Sequence, residues 1–169
     1  LKIDDATLSI LFAVAQEESA TKSENIKFGI HQRMREGKAL LNHTRFLGYT
    51  KDAEGQLVIV PEEAEIVRKI FSLYLEGNGV RKIKRYLEEH GIRTVTGKAE
   101  WSTSTIDRML SNEKYMGTLL LQKTYTPDFL TGKQKKNRGE LSMYMIEDAH
   151  EAIIEKDVFE AVQAKKKKR

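Results

Sequence analysis

Ser104, Thr105 and Arg108 fall near the start of a segment, Ser102 to Asn112, whose apolar residues Ile106, Met109 and Leu110 recur at helical spacing. Two short hydroxyls and a guanidinium turned away from that apolar side can hydrogen-bond phosphate oxygens or base edges, because the N–H groups of a helix start also favour anions. Ser102 or Thr103 is placed to cap the helix. A second set is Lys27, His31, Arg33, Arg35 and Lys38, followed by Asn42 and Arg45. It suits a helix end lying along a polyanionic backbone and an extended arm entering a groove. A third set, Lys133, Lys135, Lys136 and Arg138, occupies a loop that could neutralise phosphates without reading sequence. Each set also reads as solvated surface charge, since basic residues complement a helix C-terminus and cover ordinary faces.

Other chemistry finds less support. His31, His43, His90 and His150 are scattered and the chain has no cysteine, so neither a metal nor any other cofactor is assigned. Glu147, Asp148 and Glu151 beside His150 form a possible acid and base cluster, but a charged loop ahead of Ile153 and Ile154 is the simpler reading. No nucleophile elbow or phosphate-cradling loop is visible, and Gly77 and Gly79 lie between helices. No catalytic residue is assigned.

The 169 residues are 40% hydrophobic, enough for one ordinary domain or two small ones with a modest core. A net charge of +4 and a pI near 9.1 lean toward a polyanionic partner without naming one. Absence of cysteine excludes disulfides and thiolate zinc sites. No apolar run is long enough for a bilayer, and Leu1 to Asp5 lack a signal-peptide pattern, so a soluble intracellular protein is expected. Leu1 in place of an initiator Met leads us to expect a piece of a longer protein.

The elements that would position these side chains begin with a long helix from Asp4 or Asp5 to Gly37. Leu8, Leu11, Phe12 and Ala15 share a face, but beyond Gln16 the stripe thins to Ile26, Ile30 and Met34, as in a projecting connector about 45 Å long. Ala39 to Phe46 reads as a linker. A hairpin of Leu47 to Thr50 and Gln56 to Val60 follows, then a helix from Pro61 with Ala64, Val67, Ile70, Phe71, Tyr74 and Leu75 inward, ending at Gly77. Val80 to His90 is a further helix burying Val80, Ile83 and Leu87, and Ile92 to Trp101 is a polar connection. With Ser102 to Asn112 it forms a pair like a helix-turn-helix with an enlarged turn. Strands are expected at Thr118 to Thr124 and Leu141 to Ile146 around a long Lys- and Gly-containing loop without a buried face, and a short helix at Lys156 to Gln163. Terminal Lys165 to Arg169 adds a last basic run. The fold class expected is α+β: a long N-terminal connector helix, then a compact, mainly helical domain with small antiparallel β elements.

These segments together resemble the large serine recombinases, which include phage serine integrases and transposon recombinases. The resemblance runs through AQEESATKSENIKFGIHQRMREGK from Ala15 to Lys38, Gly48 and Tyr49, PEEAEIVRKIFSLYLEGNGVRKI from Pro61, EEHGI from Glu88, and Trp101 ahead of STSTIDRMLSNEKYMG. It continues in QKTYTPDFLTGKQKKNRGE, HEAII from His150 and VFEAVQ. Smaller serine recombinases carry ER and then SER in the comparable helix, where this chain has Glu18, Ser19 and Ser23, Glu24, Asn25, so no arginine role is carried over.

The resemblance implies residues 1–38 as a connector helix ending a catalytic domain, 39–46 as a linker arm and 47–169 as a DNA-binding recombinase domain. It implies site-specific recombination in which a serine in an upstream domain attacks a DNA phosphate, so this chain is expected to grip DNA without cleaving it. The expected partner is a double-stranded attachment-site half, met in the bacterial cytoplasm at the nucleoid, with the full-length parent forming dimers and synaptic tetramers and no membrane involved. The family's downstream zinc ribbon is not transferred to this cysteine-free chain. A DNA-binding regulator with no enzymatic parent, or a basic helical adaptor binding protein through Leu8 to Ala15, are the alternatives.

Overall fold

The computed structural model describes residues 5–36, 44–128 and 130–168, apart from the side chains of residues 31, 34 and 35. In chain order the elements are α1 (Asp5–Arg35), β1 (Tyr49–Lys51), β2 (Leu57–Ile59), α2 (Pro61–Leu75), α3 (Val80–Glu89), α4 (Thr103–Leu110) and a 3-10 turn (Glu113–Met116). Then come β3 (Leu119–Leu121), β4 (Thr124–Tyr125), β5 (Lys135–Lys136), β6 (Tyr144–Ile146) and α5 (Lys156–Lys167). This is the expected α+β class of helices with small strand pairs. The chain divides into two compact units, Leu1–Ala39 with Leu121–Tyr144, and Leu40–Leu120 with Met145–Arg169.

In the first unit α1 opens on Asp5, whose carboxylate complements the helix dipole, and carries an i,i+4 ion pair of Glu18 and Lys22 at 2.8 Å. Leu8, Leu11 and Phe12 are exposed, as are Ile26 and Phe28. The first half of the helix therefore buries no more of an apolar face than the second. The same unit corrects the reading of residues 124–141 as a loop without a buried face. Thr124 and Tyr125 pair antiparallel with Lys136 and Lys135, and Asn137 is buried. Its side-chain amide donates to the Gln122 and Leu141 carbonyls at 2.9 and 2.7 Å, and its oxygen accepts from the N–H groups of Gly139 and Leu141. Every polar atom of that side chain is used, which lets it replace a ladder where the strands are too short to hold themselves.

The second unit is built around α2. Pro61 occupies the first helical position, where its missing N–H costs nothing, and Glu62 and Glu63 follow in the first turn. Glu63 accepts from the Gly48 N–H at 2.7 Å, tying the helix start to the β1 end of the hairpin, in which Tyr49 faces Ile59. Ala64, Val67, Ile70, Phe71, Leu73 and Tyr74 of α2 are buried, while Leu75, expected inward, is half-buried. Ile83 and Leu87 of α3, Ile106 and Leu110 of α4, and Phe159 and Val162 of α5 complete the same core. Phe46, at the end of the segment read as a linker, packs there too, with its ring 4.9 Å from Tyr49 and 5.2 Å from Tyr115.

Two tyrosines lace distant segments together. Tyr115 donates to the Leu47 carbonyl at 3.0 Å, and its own carbonyl accepts from the N–H groups of Ile153 and Ile154. Tyr49 donates to the Glu151 carbonyl at 2.6 Å and accepts from the Ile153 N–H at 3.2 Å. Burial pushes the Tyr49 phenol up to about 12, against the lowering effect of the Ile153 hydrogen bond, and raises Tyr115 as well. Both hydroxyls are thus dependable donors.

Helix α5 runs past the expected end at Gln163 to Lys167. Its last residues find partners inside the unit. Gln163 donates to the Leu110 carbonyl at 2.6 Å and Lys165 to the Leu75 carbonyl at 2.7 Å, each closing the end of another helix. Part of the terminal basic run is therefore structural rather than free charge.

Candidate nucleic-acid interface

The most organised candidate surface is the pair α3 and α4. Ile106, Met109 and Leu110 hold α4 to the core, and Ser104, Thr105, Asp107 and Arg108 face outward, with Thr103 half-exposed. Ser102 takes the N-cap position, but its hydroxyl makes no cap hydrogen bond. It pairs instead with the Ser104 hydroxyl at 2.6 Å, while its carbonyl accepts from the N–H groups of Thr105 and Ile106. The expected side-chain cap is thus replaced by a hydroxyl pair at the helix start, an end of a helix that favours anions.

The enlarged turn between the helices has its own order. The connection read as polar contains Trp101, one of the largest fully buried side chains. Its indole N–H donates to the Ile92 carbonyl at 2.7 Å, and its backbone N–H donates to Glu88 of α3 at 2.8 Å. A local turn closes the outer part, where the Gly97 N–H donates to the Thr94 carbonyl at 2.8 Å and the Thr94 N–H to the Lys98 carbonyl at 2.9 Å. One aromatic anchor therefore fixes where α4 starts relative to α3.

A further basic run, Arg81 to Arg85, lies outside the residue sets expected to bind DNA. With Ile83 and Leu87 inward, Arg81, Lys82 and Arg85 are exposed on α3. None makes a hydrogen bond or ion pair with another described residue. Lys84, by contrast, lies near Glu88 at 3.6 Å and Glu100 at 3.5 Å. The i,i+4 spacing of Arg81 and Arg85 around a buried Ile83 was the available signal. α3, which carries these outward guanidiniums, packs against α4, which carries the hydroxyls.

The other expected site residues are placed more sparsely. Lys27 and Arg33 are exposed on α1, with Arg33 Nε donating to the Gly29 carbonyl at 3.3 Å, and Arg45 is exposed at the start of the second unit. Backbones of His31 and Arg35 belong to α1, but their side chains, together with Lys38, Asn42 and the arm at 39–43, lie outside the described residues. Lys133, Lys135, Lys136 and Arg138 are exposed around the β4 and β5 pair, in the same unit as Lys27 and Arg33.

The possible acid and base cluster at His150 does not assemble. His150 Nε2 meets the Lys114 carbonyl at 2.6 Å, its ring packs edge-on against Tyr49, and Glu147 pairs instead with Lys156 at 3.2 Å. Burial lowers the imidazole, opposed by the Lys114 carbonyl and aided by the Lys114 charge, so the ring is neutral and structural. Among the described residues no group of three His, Cys, Asp or Glu side chains is arranged to hold a metal, and no helix is long and apolar enough to cross a membrane.

A family model described as Recombinase matches residues 61–169. A Bacillus subtilis (strain 168) protein named "Putative DNA recombinase" is 27% identical over 133 residues, 75% of this chain and 26% of that protein. Escherichia coli (strain K12) protein YbcK, described as uncharacterized, is 26% identical over 157 residues, 88% of this chain and 28% of that protein. The chain thus spans about a quarter of the length of these curated relatives. Among solved structures, one described as an LSR-DNA complex superposes with a TM-score of 0.60 at 19% identity, over 85% of this chain and 38% of that one. Another, described by the sequence requirements of the Listeria innocua prophage attP site, gives 0.59 at 19% identity, over 86% and 52%.

Proposed function

This chain belongs to the Recombinase family, and from that premise we propose that it binds one half of a double-stranded DNA attachment site for a site-specific serine recombinase. In this reading α4 enters the major groove, Ser104, Thr105 and Arg108 read base edges, and Ser102 and Thr103 contact phosphate at the helix start. Arg81 and Arg85 flank it on the backbone. Lys27, His31, Arg33, Arg35 and Lys38 lie along phosphates, Asn42 and Arg45 belong to an arm in the minor groove, and Lys133, Lys135, Lys136 and Arg138 add charge without sequence information. Residues 1–38 act as connector, 39–46 as arm and 47–169 as the DNA-binding domain. The parent protein works as dimers and synaptic tetramers at the bacterial nucleoid, with strand cleavage by a serine outside this chain.

The observation that carries the reading is the outward hydroxyl and guanidinium set of α4, on a helix whose other side is locked into the core. Solved neighbours are described as an LSR-DNA complex and by a prophage attP site, which agrees with DNA as the partner. Selection of duplexes from a random-sequence library tests it. The expected result is one enriched motif bound without nicking or covalent attachment, even on a suicide substrate. Arg33→Gln with Arg35→Gln should weaken enriched and scrambled duplexes alike and flatten the salt dependence by about 0.9 logarithmic units for each phosphate no longer neutralised. Ser104→Ala with Thr105→Ala should erode the preference for the enriched motif instead. A preference that survives the alanine pair moves base reading to the arm, and the absence of any DNA affinity favours the protein-binding adaptor.

A further inference from the structure

Helix α4 carries one acidic residue, Asp107, directly before Arg108 on its outward side. A bare carboxylate there would face phosphates and oppose the adjacent guanidinium. The Lys166 ammonium from α5 lies 2.7 Å from the Asp107 carboxylate, 3.0 Å from the Asp107 carbonyl and 2.6 Å from the Ser111 hydroxyl. An ammonium has three donors, and all three are taken by Asp107 of α4 and by Ser111 just past its end, leaving none for a phosphate. Asp107 is half exposed and Lys166 only 20% so, which leaves the carboxylate the more open of the two side chains. Gln163, one turn earlier on α5, holds the Leu110 carbonyl of the same helix at 2.6 Å.

We propose that Lys166 is a positioning residue for DNA recognition: it neutralises and holds Asp107, so that α4 presents Ser104, Thr105 and Arg108 without a repelling charge. This rests on the reading that α4 faces DNA. Lys166 itself touches no DNA.

The test measures fluorescence anisotropy of the full chain with the duplex enriched by selection and with its scrambled counterpart, across a salt series. Lys166→Met keeps the aliphatic stem and removes the charge. It should bind both duplexes roughly tenfold more weakly, as one uncompensated charge beside phosphates would under partial screening. Lys166→Arg should retain binding. Asp107→Asn should bind as well as the unsubstituted chain or better, and the double substitution Lys166→Met with Asp107→Asn should recover the loss. Asparagine restores neutrality but none of the bonds to the Asp107 carbonyl or Ser111, so recovery separates charge from simple structural support. A double variant as weak as Lys166→Met, weakened binding by Asp107→Asn alone, or unchanged binding by Lys166→Met overturns the proposal. Arg108→Ala is the reference in each case. If it weakens binding while Lys166→Met does not, α4 faces DNA and only the positioning role fails. If neither substitution changes binding, the placement of α4 at DNA fails, and the positioning role with it.

Discussion

Replacing Trp101 by Phe probes the joint on which α4 is hung. The indole N–H bond to the Ile92 carbonyl is lost, and an orphaned carbonyl costs about 1–3 kcal/mol. Ile92 is half-exposed, so water reaches part of the carbonyl and the lower end of that range applies. The smaller ring leaves unfilled volume in a site that is 2% exposed, adding about 1 kcal/mol. The expected total is about 2 kcal/mol, against about 3–5 for Trp101→Ala. With a urea slope of about 1–3 kcal/mol/M, the midpoint should fall by roughly 1 M. Trp101 is the single tryptophan, so intrinsic fluorescence follows unfolding of the starting chain, and circular dichroism follows the variant. At low temperature, where Trp101→Phe stays folded, preference for the selected duplex should narrow because the start of α4 is less sharply fixed. A loss under about 0.5 kcal/mol, or a folded variant with full sequence preference, would refute the anchoring role.

Asn137→Ala should open the β4 and β5 pair, seen as faster hydrogen exchange at the Gly139 and Leu141 amides, with a local cost of about 1–3 kcal/mol; Asn137→Asp should do no better because a carboxylate cannot donate to the Gln122 and Leu141 carbonyls. Gly117→Ala should destabilise by about 2 kcal/mol or more in thermal melts, because the residue sits at φ +79° and a Cβ would lie 2.7 Å from the His150 backbone oxygen. His150 is lowered in the folded chain relative to its ordinary 6.5, so the unfolded chain takes up the proton first. Its contribution is complete above about pH 6.5 and is lost as pH falls below it; urea midpoints at about pH 5 and about pH 7.5 should differ less in His150→Gln than in the unsubstituted chain.

The local signals in the sequence located most helices because each is governed by neighbours a few residues away. Pro61 with its following acids marked the start of α2, apolar spacing marked its buried side, and Ile106, Met109 and Leu110 oriented α4. What escaped was set by partners far along the chain. Asn137 looks like one more polar residue among lysines, and its worth lies in carbonyls four and fifteen residues away. Lys165 and Lys166 looked like a terminal charge run, yet they close helices 90 and 59 residues earlier. Trp101 stood in a polar stretch with no periodicity to say it pointed inward. β5 is two exposed lysines, which no alternation pattern can reveal. The outward hydroxyls of α4 were legible, whereas the cation paired with Asp107 was not.

The Tyr49 hydroxyl meets Glu151 and Ile153, partners that follow it by 102 and 104 residues. A ribosome therefore releases the hairpin, α2, α3 and α4 well before the segment that seals them is made. Closing so long a loop carries an entropy cost that must be met before the distant contacts give anything back, which slows folding. During synthesis the α3 and α4 pair waits on α5, with Phe71 lacking Phe159 and the ends of α2 and α4 lacking Lys165 and Gln163. The contacts that α5 makes with α2 and α4 are consequently completed only at the end of translation of this region. Premature termination before Ile153 would yield a polypeptide that contains every proposed base-contacting side chain and keeps the Trp101 anchor, but lacks the Gln163 bond that closes the end of α4.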